Sequence, residues 1–111
     1  MKFVDRQLVF YDTKRQLAKD VDLQKRILGI LGELEDDNCW RQHQFPMSKL
    51  HKIDAWKKYV VYRVDISKVS GWRWHLREES STLYLCEVLP PNVHDDVIKI
   101  LKTHQDRYTI S

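Results

Sequence analysis

Between residues 57 and 89, apolar side chains come in three short bursts. Residues 57–66, 71–77 and 81–89 are rich in β-branched and aromatic residues and are bounded by Ser, Gly, Glu or Pro. That composition reads as strand. The linkers, 67–70 and 78–80, are of hairpin length, so the pattern predicts a three-stranded antiparallel meander. Successive strand side chains point to opposite faces. One face therefore collects Val60, Tyr62, Val64 and Ile66 with Trp72, Trp74 and Leu76. The other collects Tyr59, Val61, Arg63 and Asp65 with Arg73, His75 and Arg77. The third burst is apolar on both faces, as suits a strand covered on both sides.

Upstream, Phe3, Val4 and residues 7–11 read as a first strand ending at Asp12-Thr13, either of which can cap a following helix. From 14 to 35 the period becomes helical, with Leu17, Val21, Gln24, Ile27 or Leu28, Leu31 and Leu34 at steps of three and four. The pattern fits one long bent helix or two helices meeting near Asp22. Gly29 and Gly32 interrupt it, and a close approach to the sheet would justify them. Asn38 is the expected stop. Residues 39–56 are the least regular: Pro46 breaks any helix, and 48–53 reads as a turn or short helical piece. Trp40 and Trp56 are expected to pack at the rim of the core. Pro90-Pro91 ends the third strand. Asn92 then caps a terminal helix over 93–104, leaving 105–111 as a mobile tail. The expected fold is α+β: an N-terminal strand, one long or two short helices, the meander and a C-terminal helix, in a single domain over 1–111.

With 111 residues the chain supports one core. It is 42% hydrophobic with only 3 Gly and 3 Pro, which excludes disordered and fibrous classes. The formal net charge is +3. That mild basicity permits nucleic-acid binding without demanding it. The excess is local: 38–58 holds five Lys or Arg, Lys57 and Lys58 among them, against one acid. Four cationic or titratable groups, Arg63, Arg73, His75 and Arg77, then fall on one sheet face. Such a stripe attracts phosphates, and it is also what an ordinary solvated face carries. Cys39 and Cys86 are far apart without a Cys-x-x-Cys pattern, so two free thiols are expected. No apolar signal region or membrane-length run is present, which points to a cytoplasmic protein without membrane attachment.

The order of elements, the Gly71-Trp72-Arg73 run at the start of the middle strand, the approach from Leu50 to Tyr59, and the 83–88 strand leading to His94 together resemble the RelE/ParE superfamily of bacterial toxin components. The resemblance covers most of the chain. It implies a toxin partnered by a small antitoxin protein and, in the RelE branch, a ribosome-dependent messenger RNA endonuclease with no metal and no cofactor. The RNA's own 2′-hydroxyl attacks the adjacent phosphate, so such an enzyme supplies positioning, charge neutralisation and proton transfer. By position, Arg73 matches the family's sheet arginine, and Arg63 falls near its first basic strand position. His94 lies where the chain leaves the last strand, and Tyr108 is in a tail able to reach the same face. The chain departs from the RelE pattern after that strand: Pro90-Pro91-Asn92 stands where basic residues are usual, and Asp95-Asp96 follow His94. The other branch inhibits a topoisomerase.

Judged by residue type, Arg73 is the first candidate, because a strand arginine can hold a phosphate bidentately. His75 titrates near neutrality and can shuttle a proton, or it can simply pair with Glu78 or Glu87. His94, at a helix start, reads as a catalyst or as a cap-region residue. The expected site is thus catalytic Arg73, His94, His75 and Tyr108, with Arg63, Arg77, Lys57 and Lys58 binding RNA. The five His and two Cys show no metal-ligand spacing. A Gly-rich phosphate loop and a Ser-His-Asp pattern are both missing. The competing reading is a non-catalytic module of the same fold that binds protein or nucleic acid.

Overall fold

The computed structural model describes residues 1–54, 56–67, 69–92 and 97–110. These form a mixed α+β domain. Its strands are β1 (Lys2–Val4), β2 (His51–Lys52), β3 (Val60–Asp65), β4 (Arg73–Glu79) and β5 (Thr82–Leu89). Its helices are α1 (Val9–Gln16), α2 (Val21–Glu35), α3 (Asp37–Gln42), α4 (Val97–Thr103) and α5 (Gln105–Tyr108). One five-stranded sheet runs in the order β1-β5-β4-β3-β2. β1 is parallel to β5, and the other pairings are antiparallel.

The first strand is shorter than its apolar run suggests. Residues 9–11 belong to α1, because the Asp5 carboxylate accepts from the free amides of Val9 and Phe10 at 2.8 and 2.7 Å and starts a helix there. The helical pattern over 14–35 is two helices. Asp20, in an extended conformation, accepts from Leu23 N at 3.0 Å and begins α2. Asp36, not Asn38, ends α2, and its carboxylate caps α3 through Asn38 N at 2.8 Å. The turn or helical piece expected over 48–53 holds β2 instead. Glu33 anchors the segment before it, accepting from the amides of Met47 and Ser48 and from the Ser48 hydroxyl.

The first sheet face packs on α1 and α2. Leu23, Ile27, Ile30 and Leu34, spaced four, three and four apart, meet Val64, Trp74, Leu76 and Leu83, all buried. At about 25 cal/mol per Å² of apolar surface, this seam supplies most of the folding drive. Gly29 makes a close approach, but to Met47 and not to the sheet: a Cβ there would lie 2.5 Å from the Met47 sulfur. A Cβ on Gly32 would meet open space. Trp56 is buried at the edge of a second apolar cluster, and Trp40 is partly buried against the first.

Two local features of β4 and β5 position the site. Ser80 and Ser81 both adopt left-handed backbone (φ 51° and 60°), making a two-residue turn between Glu79 and Thr82. That geometry matches the twist of a hairpin. Further along, the register slips: His75 pairs with Glu87, whereas Leu76 pairs with Leu85. Cys86 is the extra residue of this β-bulge. The slip brings Glu87 onto the face of His75 and turns Val88 toward Trp74 and the main core.

The second sheet face is covered, contrary to the expectation of a solvated basic stripe. Leu101 of α4 and Tyr108 of α5 pack with Trp56, Val61 and Cys86 into the second cluster. The terminal helix expected over 93–104 is observed over Val97–Thr103, and its first residues lie outside the described part. The expected tail carries α5, whose Tyr108 has no exposed surface. Among the described residues, no helix is long and apolar enough to cross a membrane.

Candidate functional site

Cross-strand register draws a line of polar groups over the second face. His51 pairs with Arg63, Arg63 with His75, and His75 with Glu87. Directly opposed residues share a face, and adjacent strands lie about 4.8 Å apart. The four side chains therefore form one row across β2, β3, β4 and β5. A second row beside it runs Asp65, Arg73, Leu89. At the Glu87 end, His104 and Arg107 of the C-terminal segment extend the line: His104 Nδ1 lies 3.2 Å from both Glu87 oxygens, and Arg107 Nη1 lies 3.6 Å from Oε2.

Exposure is graded along the row. His51 is exposed, Arg63 retains 27% of its side-chain surface, and His75 and Glu87 are buried. Burial disfavours an imidazolium, and the neighbouring Arg73, Arg63, His51 and His104 disfavour it further, so the His75 pKa is pushed down to about 3. At neutral pH His75 is an uncharged imidazole beside the Arg63 and Arg73 guanidinium groups. Its Nδ1 lies 2.8 Å from the Tyr108 hydroxyl. Its Nε2 is shielded from solvent and has no hydrogen-bond partner among the described residues. Burial, then the Glu87 carboxylate, pushes the Tyr108 phenol above its ordinary range, so it stays a neutral hydroxyl. Burial likewise pushes the Cys86 thiol up to about 12, which leaves it unreactive.

The sequence-derived residues divide into four groups. Arg63, Arg73 and His75 are brought together as expected, although Arg73 and His75 are buried, not on an open surface. Tyr108 reaches the same face, as a buried partner of His75. Arg77 has a packing role: it donates to the Tyr108 carbonyl at 2.8 Å, pairs with Glu79 at 3.2 Å and stacks 4.0 Å over the Tyr59 ring. Lys57 and Lys58 are exposed at the approach to β3, where Lys58 Nζ lies 5.6 Å from the Trp56 ring centroid. His94 lies outside the described residues.

His104, Arg107 and His51 were not singled out by sequence, and Glu87 only as one of two acids offered as a partner for His75. A lone carboxylate inside the apolar 82–89 run was a usable signal, since a buried acid needs a partner. The bulge that aims it had none. His104 and Arg107 are three apart, as neighbours on a helix face are, but they fell beyond the apolar stripe that marked the helix. Among the described residues, no group of three or more His, Cys, Asp or Glu gathers to hold a metal.

Chemically, the face offers fixed positive charge (Arg63, Arg73), a neutral buried imidazole beneath it, and a carboxylate-held histidine at its edge. Side chains of that set are able to bind an oxyanion and to move a proton. Comparison with protein-family models, with curated proteins and with solved structures finds no match for this chain.

Proposed function

We propose that this chain is a RelE/ParE-like toxin component that cleaves messenger RNA on the ribosome and is held inactive by a small antitoxin protein. The observation that carries the reading is the row of His51, Arg63, His75 and Glu87 with Arg73 beside it, which sets two guanidinium groups next to an uncharged imidazole on one sheet face. Arg63 pairs with Asp65 at 3.4 Å, and both side chains remain 27% exposed, so the arginine is accessible to a ligand. A phosphodiester is a ligand that such a face attracts. Arg63 and Arg73 neutralise the phosphate while the RNA's own 2′-hydroxyl attacks it. The element order and the Gly71-Trp72-Arg73 run support the same reading.

The test is induced expression of the chain beside Arg63→Ala, with growth and transcript integrity followed together. Arg63 is the better probe because Arg73 is only 6% exposed and its loss endangers folding. Growth arrest with cut transcripts, relieved by Arg63→Ala at equal soluble expression, supports the proposal. Arrest with intact transcripts contradicts it and favours the topoisomerase-directed branch.

A second reading has its own observation. Arg73, His75 and Tyr108 are all buried, and the last two are hydrogen-bonded to each other. This favours a binding module of the same fold that grips RNA or protein without cutting. Its signature is RNA binding that weakens with salt in a protein that leaves RNA intact.

A further inference from the structure

From the Glu87–His104 pair we infer that His104, held by Glu87, is the proton-transfer group of the site, in place of the buried His75 and Tyr108. The inference rests on the RNA-cleavage reading and names the catalyst within it. Three features carry it. Glu87 is 2% exposed and fixed by the β5 bulge, so its carboxylate has a set position. Both of its oxygens lie 3.2 Å from His104 Nδ1, which assigns the Nδ1 proton to Glu87 and leaves Nε2 with the lone pair. Third, His104 keeps 31% of its side-chain surface, so its ring is open to a substrate, whereas His75 and Tyr108 have none. The bulge is thus a positioning device: in a regular ladder Cys86 would pair with His75, and Glu87 would fall opposite Trp74 and face the main core.

Arg107 strengthens the assignment. It lies 3.6 Å from Glu87 and is itself 46% exposed, so it can lend its charge to a phosphate at the mouth of the site. Arg63 and Glu87 stand two strands apart, about 10 Å. A phosphate gripped by Arg63 therefore lies within an arginine's reach of the His104 edge. In the reaction His104 Nε2 takes the proton of the 2′-hydroxyl, the O2′–P bond forms and the P–O5′ bond breaks. The departing 5′ oxygen takes a proton from solvent, and His104 returns its own to solvent. The products are a 2′,3′-cyclic phosphate and a 5′-hydroxyl, and no oxidant or reductant is needed. The charged and titratable groups facing His104 are Glu87 from β5 and Arg107 from α5, with His75 of β4 coupled to it through space.

The test compares wild type, His104→Gln, His104→Ala and Glu87→Gln in cleavage of ribosome-engaged RNA across pH. Binding of the same RNA carrying 2′-deoxy nucleotides, which cannot be cut, is measured in parallel. His104→Gln is expected to cut about 10²–10⁴-fold more slowly while binding the uncut RNA within about twofold of wild type. Added imidazole is expected to restore part of the activity of His104→Ala, which a merely structural histidine would not allow. Glu87→Gln removes the carboxylate that accepts from His104 Nδ1, so it is expected to lower the cleavage rate while leaving binding of the uncut RNA in place. Wild-type rate and profile in His104→Gln, or failure of imidazole to rescue, overturns the assignment and leaves the cleavage reading standing. If His104→Gln does not fold, a wild-type cleavage rate in Glu87→Gln overturns it alone. A wild-type protein that cuts no RNA removes the cleavage reading, and the assignment falls with it.

Discussion

His75 links burial to acid sensitivity at a single residue. Its pKa falls from 6.5 to about 3 on folding, so the unfolded chain binds a proton more readily than the native one. The stabilisation is fully present above pH 6.5 and is lost as the pH falls from there toward 3, below which no more is lost. At about 1.4 kcal/mol per unit, acidification to pH 4.5 costs roughly 2–3 kcal/mol. Urea unfolding midpoints between pH 7 and 4 should fall steadily in wild type and distinctly less in His75→Asn. Equal falls would show that other groups carry the acid sensitivity. Tyr108→Phe removes the hydrogen bond between the phenol and His75 Nδ1 and leaves that buried nitrogen without its partner. It should cost about 1–3 kcal/mol, read as a lower unfolding midpoint at unchanged slope. The sequence showed that His75 and Arg73 share a face. It did not show that the face is covered, because burial there comes from Leu101 and Tyr108, which are distant in the chain and lay partly in a segment with little apolar pattern.

At the scale of elements, alternation alone located the three long strands, since its period of two is set by backbone geometry and survives in any antiparallel sheet. Boundaries fared worse where a single side chain decides them. Asp5 starts α1, Asp20 starts α2 and Asp36 separates α2 from α3, in each case through its carboxylate. A chain with 16 acidic residues offers many such caps, and pattern does not select among them. The β5 bulge left no trace because no Gly marks it. The turn before β4 is different. Gly71 has φ 78°, and a Cβ there would lie 2.9 Å from the Pro91 Cβ. Gly71→Ala therefore meets both an unfavourable backbone region and a rigid ring, and should destabilise by more than about 1 kcal/mol. A thermal melt at or above the wild-type temperature would contradict this.

The whole molecule is a sheet with unlike faces. One face is closed by α1 and α2 over an aliphatic core. The other is closed by α4 and α5 over a smaller core that ends in charged rows. The unlike faces explain how one small domain can both fold and carry a row of polar and charged side chains. The apolar half of each strand supplies the stability, and the polar half is placed by register, at no additional cost in loops. Recognition of a phosphodiester at those rows should be electrostatic in large part. Binding of an uncut RNA should weaken steeply with salt, and Arg63→Ala should lower the slope of log affinity against log salt by about one. The most direct test of the cleavage reading is the chemistry of the RNA ends. Purified protein is added to ribosomes engaged on a defined messenger RNA, and both new termini are identified. We predict fragments ending in 2′,3′-cyclic phosphate and beginning with 5′-hydroxyl, absent when the nucleotide 5′ of the cut carries 2′-deoxyribose. RNA that stays intact, or that is cut equally well without its 2′-hydroxyl, would contradict the proposal.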